Sequence, residues 1–410
     1  MNWAVSGIVR APLSLASPLA LPGATGCGAA AVRRLTNALP GRAARGRAAD
    51  MTAVDGLHVT AATIPTDEPE SDGTLEWDST TVVIVEASGG GQTGLGWTYG
   101  HQSAAAVIES KLKDNIVGAD AMDIPSIWLA NERAVRNMGR FGIAALAISA
   151  VDIALWDLKA KLLGLPLASL LGRFRDSAPI YGSGGFCTYS DERLREQMTG
   201  YVEQGITRVK IKVGREPERD RHRAAVVREA IGDDVEFYVD ANGAFDRQDA
   251  LYWASVYAEE FGVSYFEEPV SSEDTEGLRY LRDRVPPKLS IAAGEYGWAL
   301  PYFAGLVEQV HVVQADVTRC GGITNLLRVG ALCQAHQLPF SAHCVPNVSA
   351  HACCAIQTLA HIEYFHDHVR IEELLFDGTL SPQGGGLKPD LSRPGLGLEL
   401  KRAELERYAT

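Results

Sequence analysis

The feature that most constrains the fold is an alternation of strands and helices that begins after Pro179 and repeats roughly every 25 to 30 residues. Seven short apolar runs fit β-strands, at 179–183, 208–213, 235–240, 264–267, 289–293, 310–315 and 338–343. Amphipathic segments between them fit helices, at 191–203, 216–231, 247–260, 274–284, 299–308 and 323–336. Strands that alternate with helices lie parallel and are joined by right-handed crossovers. With an eighth short strand expected at Arg370–Leu375, the pattern predicts a TIM-type barrel.

The sequence on either side of the barrel predicts a second domain. Residues 56–100 alternate as strands around a polar, acidic loop at Thr66–Trp77, and 103–116, 124–137 and 142–163 fit helices. We therefore expect an α/β protein with an α+β capping domain at 51–177 and a modified (β/α)7β barrel at 178–377. The C-terminal segment 378–410 is expected to pack on the capping domain. Residues 1–50 are expected to be a poorly ordered extension, or to precede a working start at Met51, with a transit or signal peptide as the alternative.

Charge and cysteine content exclude several classes of protein. The net charge is −13, although residues 1–50 hold six arginines and only one acid, so the remainder is more acidic still. Such a surface repels phosphate backbones and anionic lipid, which argues against nucleic acid as the main partner. No run of 18 apolar residues occurs, so no membrane span is expected. The seven cysteines form no C-x-x-C pair, which favours buried thiols in a cytoplasmic protein.

Charged or polar residues lie where the predicted strands end. Beginning with the lysine of the second strand they are Lys212, Asp240, Glu267, Glu295, Asp316 and His343, separated by 28, 27, 28, 21 and 27 residues. Each interval is one strand–helix unit, so all six are expected at the carboxyl-terminal rim, where barrel active sites are built. Taken singly, each has a plain alternative as a turn, surface or core residue. Convergence of the whole set favours a catalytic centre.

The chemistry of this set is specific. Three neighbouring carboxylates, from Asp240, Glu267 and Glu295, suit Mg²⁺, which prefers hard oxygen ligands. Lys210, two residues before Lys212, is a like charge that lowers the pKa of Lys212 and makes it a better base. On the other side of the metal, Asp316 would fix the tautomer of His343. A metal between two acid–base groups suits removal of a proton next to a carboxylate.

The chain resembles the mandelate racemase subgroup of the enolase superfamily over residues 55–405. The segments that carry the resemblance are Ala150–Asp157 (AVDIALWD), Val209–Lys212 (VKIK), Val239–Asn242 (VDAN), Phe266–Pro269 (FEEP), Gly294-Glu295, Asp316 with Gly321-Gly322, and His343. The resemblance implies a capping domain over a (β/α)7β barrel, and a metal held by Asp240, Glu267 and Glu295. It also implies Lys212 as one acid–base group and His343, paired with Asp316, as the other.

Three further residues are candidates for substrate binding. Glu372 matches an acid that contacts the substrate in this subgroup. Asn242 follows Asp240 at the rim, with simple turn chemistry as its alternative, and Arg140 follows Met138-Gly139 near the domain junction, with a structural ion pair as its alternative. In proteins of this subgroup a mobile loop of the cap selects the substrate, here the acidic stretch Thr66–Trp77. His361, His366 and His368 are expected to be surface or turn residues.

The resemblance implies an Mg²⁺-dependent enzyme acting on a small carboxylate. We expect dehydration of a sugar acid, an aldonate or aldarate, to a 2-keto-3-deoxy acid. The alternatives are a racemase, epimerase or cycloisomerase using the same groups, and, more remotely, a binding protein without catalysis. A homo-oligomer is expected.

Overall fold

The computed structural model describes residues 53–410, so the expectation for residues 1–50 lies outside the described range. The first part contains β1 (Gly56–Ser71), β2 (Glu76–Gly89), β3 (Gln92–Gly100), α1 (Ser103–Val107), a π-helical turn (Ile108–Leu112), α2 (Lys113–Ile116), α3 (Ile124–Ala134), α4 (Ile143–Leu162) and α5 (Leu167–Leu171). The barrel follows with β4 (Ala178–Gly184), α6 (Asp191–Glu203), β5 (Arg208–Lys212), α7 (Pro217–Ile231), β6 (Glu236–Asp240), α8 (Arg247–Phe261), β7 (Val263–Glu267), α9 (Thr275–Arg282), β8 (Ser290–Ala293), α10 (Leu300–Leu306), β9 (Val312–Ala315), α11 (Gly322–His336), β10 (Phe340–Ala342), α12 (Pro346–Cys353), β11 (Leu359–Phe365) and α13 (His366–Leu375). The tail adds β12 (Phe376–Asp377), β13 (Gly386–Leu387), β14 (Glu399–Leu400) and α14 (Arg402–Tyr408).

The capping sheet is antiparallel, in the order β1-β2-β3, and α4 packs across it. Two glycines of β3 set how closely the helix approaches. A Cβ atom at Gly94 or Gly96 would lie 2.2 Å from the carbonyl oxygen of Ala154 or Ala150, respectively. No side chain fits at that distance, so the small residues of α4 and the glycines of β3 require one another.

The barrel consists of eight parallel strands, β4 to β11 in sequence order, and closes where β11 pairs with β4. This confirms the predicted barrel class, and the seven strands predicted from 179 to 343 each lie within about two residues of an observed strand. The tail strand β13 adds antiparallel to β4. Each barrel strand, including the eighth, is followed by a helix.

The predicted eighth strand is wrong. Arg370–Leu375 lies in α13, and the eighth strand is Leu359–Phe365. The reason is visible in the burial pattern of α13, where His368, Ile371 and Leu375 are buried at spacings of three and four residues, the period of a helix. The expectation for the histidines is also wrong in part, since His361 lies buried in β11 and His368 lies buried in α13.

Two acids of the AVDIALWD segment connect α4 to the barrel and to the tail. Asp152 on α4 accepts hydrogen bonds from the backbone nitrogen (2.9 Å) and hydroxyl (2.6 Å) of Thr324, at the start of α11. Asp157 accepts from the backbone nitrogens of Leu95 (2.7 Å) and Leu396 (2.6 Å), which joins the tail to the capping sheet. Both carboxylates are buried. These contacts place the capping sheet over one end of the barrel.

The helices and cysteines within residues 53–410 bear on two further expectations. No helix in this range is long and apolar enough to cross a membrane. The six described cysteines, Cys187, Cys320, Cys333, Cys344, Cys353 and Cys354, are free and buried. Burial raises the pKa of Cys187 to about 11, so this thiol stays protonated at neutral pH.

Candidate active site

The charged residues predicted to converge do lie together, at the carboxyl-terminal end of the barrel beneath the capping sheet. Lys212, Asp240 and Glu267 are the last residues of β5, β6 and β7. Glu295, Asp316 and His343 follow β8, β9 and β10 by one or two residues. All six are at most 5 % exposed. Parallel strands end at one rim, which is why a regular interval in the sequence becomes a cluster in space.

Three carboxylates form the centre of the cluster. Ligand oxygens of Asp240, Glu267 and Glu295 lie within 4.8 Å of one another. Burial raises the pKa of Glu267 well above its usual range. Its Oε2 atom is buried and has no hydrogen-bond partner among the described residues. Buried carboxylate oxygens without a donor are the arrangement that a hard divalent cation stabilises.

Two lysines contact these carboxylates from the β5 side. Lys210 Nζ lies 2.6 Å from Glu267 Oε1, 2.8 Å from Glu363 Oε1 and 3.2 Å from Asp240 Oδ2, and Lys212 Nζ lies 2.6 Å from Asp240 Oδ2. Burial lowers the pKa of Lys212, but the carboxylates of Asp240, Glu295 and Glu363 together outweigh it and raise the pKa above its usual range. Lys210 acts in the predicted downward direction, but that effect is the smaller one.

His343 is oriented from behind by Asp316. His343 Nδ1 lies 2.7 Å from Asp316 Oδ2, while the other Asp316 oxygen accepts hydrogen bonds from the backbone nitrogen (2.6 Å) and hydroxyl (2.7 Å) of Thr318. Burial raises the pKa of Asp316, but the hydrogen bond and charge of His343, together with Arg319 and Thr318, outweigh it and lower the pKa. His343 Nε2 faces the cluster, 3.3 Å from Glu295 Oε2 and 3.3 Å from Cys344 Sγ. The ring is therefore held with one nitrogen toward the cavity.

Sequence reasoning missed Glu363, on the true eighth strand. Besides its contact with Lys210, it accepts a hydrogen bond at Oε2 from the Cys344 backbone nitrogen (3.0 Å), and this oxygen lies 3.6 Å from His343 Nε2. It is fully buried. The available signal was its place in the apolar run LAHIEYF, where a lone acid requires a buried partner.

Glu372, which was predicted to contact the substrate, lies elsewhere. It sits on α13, and its Oε2 accepts hydrogen bonds from the side-chain (2.5 Å) and backbone (3.3 Å) nitrogens of Asn347. It does not line the cavity described below. Because residue 372 belongs to a helix and not to a barrel strand, its side chain contacts Asn347 on α12 and does not line the cavity.

The other two substrate-binding candidates differ in position. Asn242 lines the cavity in a left-handed conformation (φ 46°), with its backbone nitrogen donating to Asp240 Oδ1 (2.9 Å). Arg140 is exposed and lies 3.7 Å from Glu132, away from the cavity lining. The structure thus brings Asn242 to the cluster and gives Arg140 the ion pair that was its alternative.

A cavity of about 270 Å³ opens between the cluster and the capping sheet. This is near the lower end for small-molecule sites, roughly 300 Å³, and suits a compact ligand. The stretch Thr66–Trp77 is mostly not a loop, because β1 and β2 extend as a hairpin to a turn at 72–75. Asp72 Oδ1 stabilises this turn by accepting from the backbone nitrogens of Thr74 (2.6 Å) and Leu75 (2.7 Å). The hairpin tip lines the cavity through Asp72, Leu75 and Trp77.

A buried carboxyl joins the two strands of the hairpin, and a contact with α13 fastens the hairpin to the barrel. Glu70 Oε2 accepts from Trp77 Nε1 (2.8 Å), and Asp67 Oδ2 lies 2.9 Å from His366 Nε2. Burial, with the charge of Asp367, raises the pKa of Glu70 to about 9. Glu70 is therefore protonated at neutral pH in the folded protein.

This pKa makes a prediction about stability. The unfolded chain ionises Glu70 near its usual value, so the folded state holds an extra proton between that value and about pH 9. Stability contributed at this site therefore falls as pH rises through that window. Glu70→Gln, which keeps an acceptor for Trp77, should raise the free energy of unfolding by at least about 1 kcal/mol at pH 8.

Urea unfolding at pH 6 and pH 8.5 measures the effect, and the difference between variant and wild type should grow with pH. The matched control is Glu68→Gln, two residues from Glu70 in the sequence, where a half-exposed glutamate pairs with Arg193. This substitution should change the free energy of unfolding little. Equal stability of the Glu70 variant and the wild type at pH 8.5 would contradict the assignment.

Comparisons with known proteins agree with this architecture. A family profile described as "Mandelate racemase / muconate lactonizing enzyme, N-terminal domain" matches residues 59–172, and one described as "Enolase C-terminal domain-like" matches residues 193–404. The chain is 33 % identical over 327 residues to L-talarate/galactarate dehydratase of Salmonella typhimurium, covering 76 % of this chain and 81 % of that protein. It is 30 % identical to D-galactarolactone cycloisomerase of Agrobacterium fabrum, covering 83 % and 95 %.

Solved structures show the same likeness. A mandelate racemase/muconate lactonizing enzyme-like protein from Rubrobacter xylanophilus superposes with a TM-score of 0.86 at 61 % identity, covering 87 % of this chain and all of that one. The Salmonella dehydratase liganded with Mg and L-lyxarohydroxamate superposes with a TM-score of 0.81 at 30 % identity, covering 92 % and 97 %. The likeness spans both the capping sheet and the barrel.

Proposed function

Because the chain belongs to the mandelate racemase/muconate lactonizing enzyme family of the enolase superfamily, we propose that it removes the proton next to the carboxylate of a sugar acid and dehydrates it to a 2-keto-3-deoxy acid. The observation that carries the proposal is the pair of acid–base side chains, Lys212 and His343, on either side of three buried carboxylates. Relatives named as dehydratases and as a cycloisomerase support chemistry of this class.

The carboxylates of Asp240, Glu267 and Glu295 fit Mg²⁺. The donor set is all oxygen, and Glu267 has a buried oxygen without a donor. The liganded structure of the Salmonella dehydratase contains Mg, which supports the same cation here. When bound, the cation would polarise the substrate carboxylate and so make its neighbouring C–H bond more acidic.

The residues of the chain supply the proton transfers. Lys212 or His343 accepts the α-proton, and the electron pair of that C–H bond moves toward the carboxylate. His343 Nε2 then donates a proton to the β-hydroxyl, the C–O bond breaks and water leaves. The resulting enol tautomerises to the 2-keto acid. Asp316 stabilises the charged form of His343 during this exchange, which is what its 2.7 Å contact provides.

Isomerisation by the same groups is the second candidate. The match to the relative named D-galactarolactone cycloisomerase spans 95 % of that protein, and this supports isomerisation as a candidate. In that reaction the second acid–base group returns a proton to carbon or assists ring opening, and no water is lost. The choice depends on the leaving group of the substrate.

A substrate screen tests the proposal. The full chain with Mg²⁺ is incubated with a library of aldonates, aldarates and their lactones, and 2-keto acid formation is measured with semicarbazide. We expect at least one sugar acid to give a keto acid. Substrate consumption without keto acid, with a changed configuration or an opened ring by NMR, would replace dehydration with isomerisation.

A further inference from the structure

The cavity has two walls of different charge. The barrel wall contributes Lys212 and Arg319, the only lysine and arginine side chains among the described residues that line it. The opposite wall is formed by β2 and β3 of the cap and by the start of α13, and we call it the cap wall. It contributes hydroxyl groups of Ser79, Thr80, Thr81 and Tyr99. The charged lining residues outside the barrel wall are acids, Asp72 on the hairpin and Asp367 on α13.

Both cations of the barrel wall are already paired. Lys212 Nζ lies 2.6 Å from Asp240. Arg319 Nη1 lies 3.1 Å from Glu295 Oε1, and its Nε lies 3.6 Å from Asp316 Oδ2. These contacts confine the positive charge to the reacting end of the cavity.

The cap wall has no lysine or arginine side chain among the described residues that line the cavity. Asp367 accepts a hydrogen bond from the Thr80 hydroxyl (2.5 Å) and pairs with Arg370 (2.6 Å), which is thereby committed to it. His368 stacks on Tyr99 with ring centroids 3.6 Å apart. Burial lowers the pKa of His368 to about 3, so this ring is neutral at physiological pH.

Two polar atoms on this wall have no hydrogen-bond partner in the described part of the chain. They are the Tyr99 hydroxyl and His368 Nδ1, both buried. A sugar hydroxyl both donates and accepts, and so can pair with the hydroxyl groups of Ser79, Thr80 and Thr81 that line this wall. A carboxylate only accepts, and here it would be desolvated near Asp367 without a cation to balance it.

We propose that the cap wall is a hydroxyl-binding subsite, and that the site selects monocarboxylic sugar acids (aldonates) over the corresponding dicarboxylic acids (aldarates). This inference rests on the proposed function for the position of the reacting carboxylate at the barrel wall. It concerns only the far end of the ligand.

The test measures binding as well as turnover. Calorimetry of the full chain with Mg²⁺, carrying His343→Asn to slow turnover, compares galactonate with galactarate and gluconate with glucarate. We expect the better aldonate to bind at least about tenfold more tightly than the better aldarate, because an unpaired buried charge is strongly unfavourable. Equal or tighter binding of an aldarate, or no binding by either class, would overturn the inference.

The two proposals fail in different ways. If an aldonate binds preferentially but wild-type enzyme with Mg²⁺ yields no keto acid from it, dehydration is wrong and the subsite stands. If an aldarate binds more tightly and is dehydrated, the subsite is wrong and dehydration stands.

A variant that supplies the missing cation gives an independent measurement. Ser79→Arg places a guanidinium on the cap wall. It should change the ratio of the two dissociation constants by at least about fivefold in favour of aldarate binding. Ser110→Arg, on the exposed face of the π-helical turn, adds the same charge away from the cavity and should leave the ratio unchanged. An identical ratio for both variants and the parent would count against the subsite.

Discussion

Replacing His343 with asparagine should lower kcat by at least about 10²-fold, since general acid–base catalysis contributes roughly 10²–10⁴-fold. The asparagine fills most of the space of the imidazole but cannot carry the proton that the leaving hydroxyl needs. Steady-state formation of keto acid measures the loss. The matched control is His361→Asn, the same substitution inside the barrel on β11 but outside the cavity lining, where turnover should stay within a few-fold.

Deuterium exchange separates the roles of the two acid–base groups. The His343→Asn variant is incubated with substrate in D₂O, and exchange of the α-hydrogen is followed by NMR. If His343→Asn loses turnover but keeps α-exchange, Lys212 is the base and His343 the acid, whereas loss of both makes His343 the base as well. A loss of turnover smaller than about tenfold would contradict the role given to His343.

Removing divalent cations should abolish turnover, and Mg²⁺ should restore it, because Asp240, Glu267 and Glu295 together concentrate negative charge that repels a substrate carboxylate. Dialysis against a chelator followed by titration with Mg²⁺ measures this directly. Asp240→Asn should weaken Mg²⁺ binding at least about tenfold by calorimetry. Glu236→Gln, at the opposite end of the same strand, is the matched control and should bind Mg²⁺ like the wild type. Full activity in chelator would refute the assigned ligands.

The cluster of charged residues at the barrel rim could be predicted because these residues recur at intervals of one strand–helix unit. Lys212, Asp240 and Glu267 end consecutive strands, so counting strand–helix units was enough to place them on one rim. The pairing of His343 with Asp316 followed from the same count. The distances among these groups required the structure, and their catalytic roles remain predictions.

The eighth strand was harder to predict because two adjacent segments compete for it. Leu359–Phe365 contains His361 and Glu363, polar residues that are unfavourable in a buried strand unless paired. Their partners, Ser341 and Lys210, lie far away in the sequence. Residues 370–375 were assigned as the strand instead, although three of these six residues are charged, and Glu363 was therefore passed over in favour of Glu372.

The pKa of Lys212 shows a similar limit. The sequence places Lys210 two residues away, which favours a lowered pKa. The structure adds the Asp240 carboxylate 2.6 Å from Lys212, and an opposite charge in direct contact outweighs a like charge further away. Neighbours along one strand are visible in the sequence, whereas neighbours on adjacent strands are not.

The contacts of Lys210 have a consequence for folding. This side chain on β5 touches acids on β6, β7 and β11, and β11 is also the strand that pairs with β4 to complete the cylinder. Contacts between residues so distant along the chain form late, because loop-closure entropy must be overcome first. A folding intermediate in which the last strand is undocked therefore lacks Glu363 beside Lys210, even if seven strands are in place. Recovery of turnover during refolding reports closure of the whole cylinder, and should lag behind the recovery of helical circular dichroism.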